Sequence, residues 1–319
     1  MTSPPLARKA RLKTHLVSAK VKLRQHVTLR RALLLAAASA ASFLFLLTLR
    51  TLLSSSHARI QTPATQLQLR GQHCAKLPAP VAEALVYYAT TSANNATSSQ
   101  QQTAAELAVT ARALARCRAP CNVLVFGGLG GTESALWAAL NHGQGGRTVF
   151  LEEDASLISE ISSRHPGLGI EPHQVAYQTT LADADELLAL RDSPDCKKTQ
   201  NRPLSPDEFE SSKCKLAMRG LPAAFYETEW DVIIVDAPPG WVPEAPGRIG
   251  GAIYMAGMAA RARRWPGKTE VIVHDVDRAV EDGLSMAFLC RGYLEEEVGR
   301  VRRFAVPSHR EKDVMPFCP

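Results

Sequence analysis

The first 82 residues of this 319-residue chain contain no aspartate or glutamate; the first acid is Glu83. Bases are not missing there. Arg8, Lys9, Arg11, Lys13, Lys20, Lys22, Arg24, Arg30 and Arg31 put nine positive charges in a short tail. Subtracting those nine from the 37 Lys and Arg leaves 28 against 31 acids, so the rest of the chain is slightly acidic. The formal charge of +6 is therefore one local tail and not a field over a folded face. That excludes nucleic acid as the implied partner.

The run Ala32–Leu49, "ALLLAAASAASFLFLLTL", lacks any charge and is not broken by proline or glycine. At 18 residues it is at the short end for a membrane span. Basic residues on its N-terminal side fit a cytosolic N-terminus and a translocated remainder, the layout of a single-pass type II protein. A buried helix, a cleaved signal peptide and a mitochondrial presequence are the competing readings. The long basic region and the unbroken run speak against a signal peptide. A short span suits the thinner early secretory membranes, Golgi or endoplasmic reticulum. The expected organisation is a basic tail at 1–31, an anchor at 32–49, a polar stem at 50–76 and an α/β domain at 77–319.

No cysteine precedes the anchor; all seven, from Cys74 to Cys318, follow it. An oxidising lumen permits disulfides among them, and the odd count leaves one thiol free or bridging two chains. "CRAPC", Cys117–Cys121, has no second cysteine pair nearby, which excludes a zinc reading. Cys196 and Cys214 bracket a polar loop whose base a disulfide could close. The polar stretch Thr90–Thr103 reads as a loop and holds a glycosylation triplet, Asn95-Ala96-Thr97.

From Cys121 onward α and β patterns alternate. Strands are expected at "NVLVFG", "RTVFLEED", "HQVAYQT", "EWDVIIVDAP" and "TEVIVHDVD". Helices are expected at "TESALWAALNH" and, despite its glycines, at "GRIGGAIYMAGMAARARR". Late strands are expected after Cys290, "VRRFAVP" among them. Apolar strands linked by helices predict a doubly wound, largely parallel sheet.

The dinucleotide pattern GxGxxG is absent. In its place stands "GGLGG", Gly127–Gly131. In a parallel sheet it falls at the carboxyl end of the first strand, where ligands collect. It admits two readings, a cradle for a nucleotide-derived cofactor or an ordinary tight turn. The spacing of Gly127, Gly128 and Gly130 suits S-adenosylmethionine, which has no pyrophosphate. Glu152 and Glu153 come one βαβ unit later, where an acid meets a ribose diol; a solvated acidic turn is the alternative. Asp236 ends the fourth strand and His274-Asp275 the fifth. These three are candidates to take a proton from a sugar hydroxyl or to hold a divalent metal ion; simple capping is the competing role.

The blocks "CNVLVFGGLGGTESALWAALNHGQGGRTVFLEED", "FYETEWDVIIVDAPPGWVPEAPGRIGGAIYMAGMAARAR" and "VIVHDVDRAVEDGLSMAFLC" resemble the plant polysaccharide-biosynthesis family of unknown-function type 579. That family contains the glucuronoxylan 4-O-methyltransferases and the irregular-xylem-15 proteins. The resemblance implies a fold like that of S-adenosylmethionine-dependent methyltransferases, residence in the Golgi membrane and a role in xylan synthesis. It implies methyl transfer to O4 of glucuronic acid side chains, with Arg248 or Arg278 pairing the uronate. It carries over to Trp137, Asn141, Asp154, Trp230, Asp231, Pro238 and Glu244–Arg248 as well as to the residues above. One departure stands out. The family's Phe-Gly-Leu-Gly-His-Asp is here Phe126 to Glu133, with a glycine added and the His-Asp pair replaced. The tail "RRFAVPSHREKDVMPFC" is similar to the irregular-xylem-15 branch. Two functions follow: a glucuronoxylan methyltransferase, or a non-catalytic accessory protein that organises other xylan-synthesising proteins.

Overall fold

The computed structural model describes residues 77–93, 102–197, 203–236, 248–310 and 315–319. The basic tail, Ala32–Leu49, the stem, Cys74, the glycosylation triplet, Pro238 and Glu244–Gly247 lie outside the described residues. Among the described residues no helix is long and apolar enough to cross a membrane. They all belong to one compact unit, Gly71–Pro319.

Two helices lead in, α1 at Ala79–Ala93 and α2 at Ala104–Arg116. The loop expected from Thr90 therefore begins later, because α1 continues through Ala93. Its far end is sharp: Thr103 and Glu106 form a reciprocal capping box that starts α2. Strand β1, Val123–Phe126, is followed by α3, Thr132–Asn141. Next come β2, Thr148–Glu152, and α4, Ala155–Arg164, then β3, Ile170–Gln174, and α5, Ala184–Ala189. Short helices α6, Pro206–Glu210, and α7, Ala223–Glu227, precede β4, Val232–Val235. The remainder is α8, Arg248–Arg261, β5, Lys268–Val273, α9, Ala279–Ser285, β6, Leu294–Val298, and β7, Val301–Pro307.

The seven strands form one sheet in the order β3-β2-β1-β4-β5-β7-β6. The first five are parallel, and β7 is antiparallel to both neighbours. This is the expected doubly wound, largely parallel sheet. Its central strands are apolar at every position because both faces are covered. Leu124, Phe126, Ile233 and Val235 face one core, whereas Val123, Val125, Val232 and Ile234 face the other.

Strand β3 departs from expectation. It ends at Gln174, so "HQVAYQT" contributes only its first two residues. The rest peels away: Val175 N–H still donates to Glu152 O, and the Tyr177 hydroxyl donates to Leu151 O at 2.9 Å. That segment closes over the end of β2 and so mimics a strand in its apolar pattern.

The glycines of α8 are there for close approach. A Cβ at Gly257 would lie 2.9 Å from Phe288 O, and one at Gly251 would lie 2.8 Å from the Met218 side chain. Three disulfides pin the periphery: Cys117–Cys121, Cys196–Cys214 and Cys290–Cys318.

Candidate active site at the carboxyl edge

The sheet order reverses between β1 and β4, and at such a switch point the carboxyl ends of the strands open a crevice. The glycine turn leaves β1 on one side of it and Asp236 follows β4 on the other. Gly127, Gly128 and Gly130 have φ of 74°, 69° and 93°. A side chain would strain all three. Gly128 is also packed: a Cβ there would stand 2.2 Å from Asp236 Oδ2. The turn and the Asp236 carboxylate therefore fit only because Gly128 is bare. Gly130 N–H donates to Ser134 Oγ at 3.2 Å, and the Ser134 hydroxyl donates to Gly131 O at 2.8 Å, which fixes the turn to the first coil of α3.

At the end of β2 the three acids have separate positions. Glu152 is buried, and its Oε1 accepts from the N–H groups of Glu153 at 2.7 Å and Asp154 at 3.2 Å. Glu153 is half-buried. Asp154 caps α4, accepting from Ser156 N–H and Leu157 N–H.

Across the crevice His274 is 4% exposed and lies between two carboxylates. Nδ1 stands 3.4 Å from Asp236 Oδ1, and Nε2 stands 3.4 Å from Asp275 Oδ1 without the angle for a hydrogen bond. Burial opposes the imidazolium, yet the hydrogen bond to Asp236 and the charges of both carboxylates outweigh it, so the His274 pKa is raised. Asp236 is the member of the set that reaches the edge, with its side chain 23% exposed. Asp275 adopts φ 58°, an uncommon conformation for a non-glycine residue. It is held by two cations, Arg278 Nη2 at 2.7 Å and Arg300 Nη1 at 3.0 Å. Burial still leaves its pKa raised.

Sequence had grouped Asp236, His274 and Asp275 as one set, and they are contiguous. They do not focus on a common point, because His274 turns opposite nitrogens to the two acids. That geometry favours a hydrogen-bonded Asp236–His274 pair with the Asp275 charge behind it over three ligands on one ion. Among the described residues the cluster with metal-ligand spacing is Cys117, Cys121 and Asp231, and its cysteines are joined in a disulfide. The guanidinium of Arg278 is committed to Asp275 and, at 3.3 Å, to Glu281. Of Arg248 only the backbone, at the start of α8, is described.

Glu133 was missed. It sits in the first turn of α3, and its Oε1 accepts from Gln102 N–H at 3.5 Å. Burial, then the negative charge of Asp236, raise its pKa, while His274 lowers it. It thus belongs to the same electrostatic cluster. The available signal was the replaced His-Asp pair just after the glycines. Other residues shared in the resemblance lie at the opposite edge. Asn141 donates to Cys121 O at 3.1 Å and Thr148 Oγ1 at 2.9 Å, tying the starts of β1 and β2. Asp231 accepts from Asn122 N–H and pairs with Arg263.

A profile of the IRX15/IRX15L/GXM family matches residues 105–304, which includes every strand of this sheet except the last residues of β7. The chain belongs to this family. Within it, glucuronoxylan 4-O-methyltransferase 2 of Arabidopsis thaliana is 44% identical over 269 residues, 84% of this chain and 84% of that protein. Arabinogalactan O-methyltransferase 2 of the same plant is 40% identical over 240 residues, 74% of this chain and 77% of its own length. Protein irregular xylem 15, also from Arabidopsis thaliana, is 35% identical over 246 residues, 76% and 70% of the two chains. Identity is therefore higher with the two methyltransferases than with irregular xylem 15. The tail points to the opposite branch, but it is a short segment set against alignments of 240 residues or more.

Proposed function

We propose that this protein is an S-adenosylmethionine-dependent O-methyltransferase of plant cell-wall polysaccharide, with O4 of glucuronic acid side chains on xylan as the acceptor. The observation that carries the reading is family membership at 44% identity to a glucuronoxylan 4-O-methyltransferase. The carboxyl edge is compatible with that cofactor. Three glycines with positive φ let the backbone approach a ligand, and Glu152 and Glu153 end β2 where a ribose diol would meet an acid. When bound, S-adenosylmethionine supplies a methyl group on a cationic sulfur. The acceptor hydroxyl must lose its proton as the new carbon–oxygen bond forms. Asp236, the more exposed partner of the Asp236–His274 pair, takes that proton in this reading. His274 behind it holds the carboxylate in place and balances its charge, and Asp275, itself held by Arg278 and Arg300, adds its charge beside the imidazole. Proximity and alignment supply much of the remaining acceleration.

Calorimetric titration with S-adenosylmethionine, followed by methyl transfer to glucuronoxylan fragments and to arabinogalactan fragments, tests this. Saturable binding with transfer to the uronate-bearing xylan is the expected result. A folded protein that neither binds the cofactor nor transfers methyl would overturn the reading in favour of the accessory role.

The lumenal Golgi location is part of the same proposal. Its supports are the basic tail before Ala32–Leu49 and the three disulfides, which suit an oxidising compartment. In sealed microsomes protease should remove the N-terminal tail alone; loss of a C-terminal epitope without detergent would reverse the topology.

A further inference from the structure

Glu106 does more than start a helix. In the capping box its Oε2 accepts from Thr103 N–H at 2.6 Å, which is what the end of α2 asks of it. Yet this glutamate is only 2% exposed, and its Oε1 reaches across 194 positions of chain to accept from Arg300 N–H at 2.7 Å. Burial favours the neutral acid. The N–H groups of Thr103 and then Arg300, followed by the Thr103 side chain and the charge of Arg300, outweigh it and hold the pKa below its ordinary value. A carboxylate kept ionised while buried is costly unless its partners are fixed in place.

Arg300 belongs to the tight turn between β6 and β7, where Val298 pairs with Val301. The turn is shaped around the carboxylate. Gly299 has φ 56°, and a Cβ there would stand 2.5 Å from Glu106 Oε1, the same device as Gly128 beside Asp236. From this turn Arg300 grips the Asp275 segment twice. Its Nη1 donates to Asp275 Oδ1 at 3.0 Å, and its carbonyl accepts from Val276 N–H at 3.1 Å. The two bonds bracket the residue whose φ is 58°. Asp275 Oδ1 in turn stands 3.4 Å from His274 Nε2, and the charge of Arg300 opposes the His274 imidazolium. The start of α2 also touches the other side of the cluster, where Gln102 N–H donates to Glu133 Oε1 at 3.5 Å.

We infer that Glu106 is a positioning residue of the candidate site: through Arg300 it fixes Asp275, and through Asp275 the electrostatic setting of His274 behind Asp236. The inference rests on the methyl-transfer reading for its catalytic meaning. A merely structural Glu106 would fasten the β6–β7 turn to α2, cost stability when lost and leave His274 unmoved. Arg278 keeps a second hold on Asp275, so losing the Glu106–Arg300 pair weakens the site without abolishing it.

The variants, made in the full-length protein, are Glu106→Gln, Arg300→Gln and Arg300→Lys. Thr103→Ala is the control: it breaks the other half of the capping box, keeps the N–H that Glu106 accepts and leaves Arg300 untouched. The first readout is the titration of the His274 imidazole by NMR with histidine-selective labelling, without cofactor or acceptor. Arg300→Gln removes a cation that opposes the imidazolium, so the His274 pKa should rise by about half a pH unit, less than a direct charge partner gives. Glu106→Gln should move it the same way by less, and Arg300→Lys should restore most of the wild-type value. Thr103→Ala should melt lower with His274 unchanged. The second readout is methyl transfer to glucuronoxylan fragments. Glu106→Gln and Arg300→Gln should lower kcat about tenfold, the scale of a slightly misplaced group, with KM for the acceptor close to wild type. If His274 titrates alike in the wild type, Glu106→Gln and Arg300→Gln, the pair only fastens the turn to α2 and the inference is overturned, whatever the activity. Wild-type protein that transfers no methyl, with the His274 shifts intact, overturns methyl transfer and leaves the placement of His274 by Glu106 and Arg300 standing.

Discussion

One fully buried guanidinium, Arg261, and two partly exposed ones, Arg278 and Arg300, behave in opposite ways. Arg261, at the end of α8, is fully buried, and among the described residues no carboxylate pairs with it. Its Nη1 donates to Gly257 O, its Nη2 to Phe317 O and to Cys290 Sγ, and its Cζ lies 4.0 Å from the Phe317 ring centroid. Burial pulls its pKa down to about 10. Arg278 and Arg300, by contrast, are partly exposed and sit among acids: Asp275, Glu281 and Glu106. The first cluster uses a cation to fasten chain to chain. The second uses cations to hold a set of acids and a histidine whose most exposed member is Asp236. Only the second set is linked through acids to the candidate site.

The largest expected effect breaks the second cluster at its exposed end. Asp236→Asn keeps the shape and removes the proton acceptor. Methyl transfer should fall by about 10²–10⁴ while the melting temperature stays close to wild type. An active Asp236→Asn protein would move the base elsewhere, with Glu133 the next group to test. The mirror experiment is Arg261→Ala. It should cost about 3–4 kcal/mol of stability in denaturant titration, through lost hydrogen bonds and a cavity. Activity per folded molecule should be unchanged. A selective loss of activity there would erase the contrast between the clusters.

The third effect is smaller and depends on pH. Burial raises the Glu281 pKa to about 7, against the opposing pull of Arg278. An acid with a raised folded pKa is protonated more in the native state than in the unfolded chain. Its contribution is whole below about pH 4.5 and is lost as pH climbs to about 7. Glu281→Gln should flatten that decline, with a difference on the order of 2–3 kcal/mol across the window. Equal slopes in the two proteins would show that Arg278 keeps Glu281 ionised throughout.

Much of the sheet was legible because its signals are local. Val232–Val235 and Val123–Phe126 are apolar at successive positions, and only a strand covered on both faces asks for that. The segment after Gln174 misled because an apolar stretch that caps a strand end has the same composition as a strand. The site was half legible. Glycine, Asp236 and His274-Asp275 announced themselves by standing at strand ends. What could not be read was which partner each charge would take. Arg278 looked available for substrate, but the i,i+3 placement of Asp275 and Glu281 on either side of it engages its guanidinium. Asn141 and Asp231 carried the family resemblance equally well and proved to serve the far edge, because sequence does not label the two ends of a strand. Glu133 joins the cluster only through the charge of Asp236, an electrostatic interaction made across 103 positions of chain.

The hold of Arg261 on Phe317 also sets an order of manufacture. Residues 315–319 follow every strand in the chain, so Arg261 is made well before the Phe317 carbonyl and ring that complete its surroundings. A product interrupted before Phe317 would keep all seven strands and the whole carboxyl edge, yet leave that socket open to water. For this protein, cellular quality control should respond to the last few residues more sharply than to many of those that face the substrate.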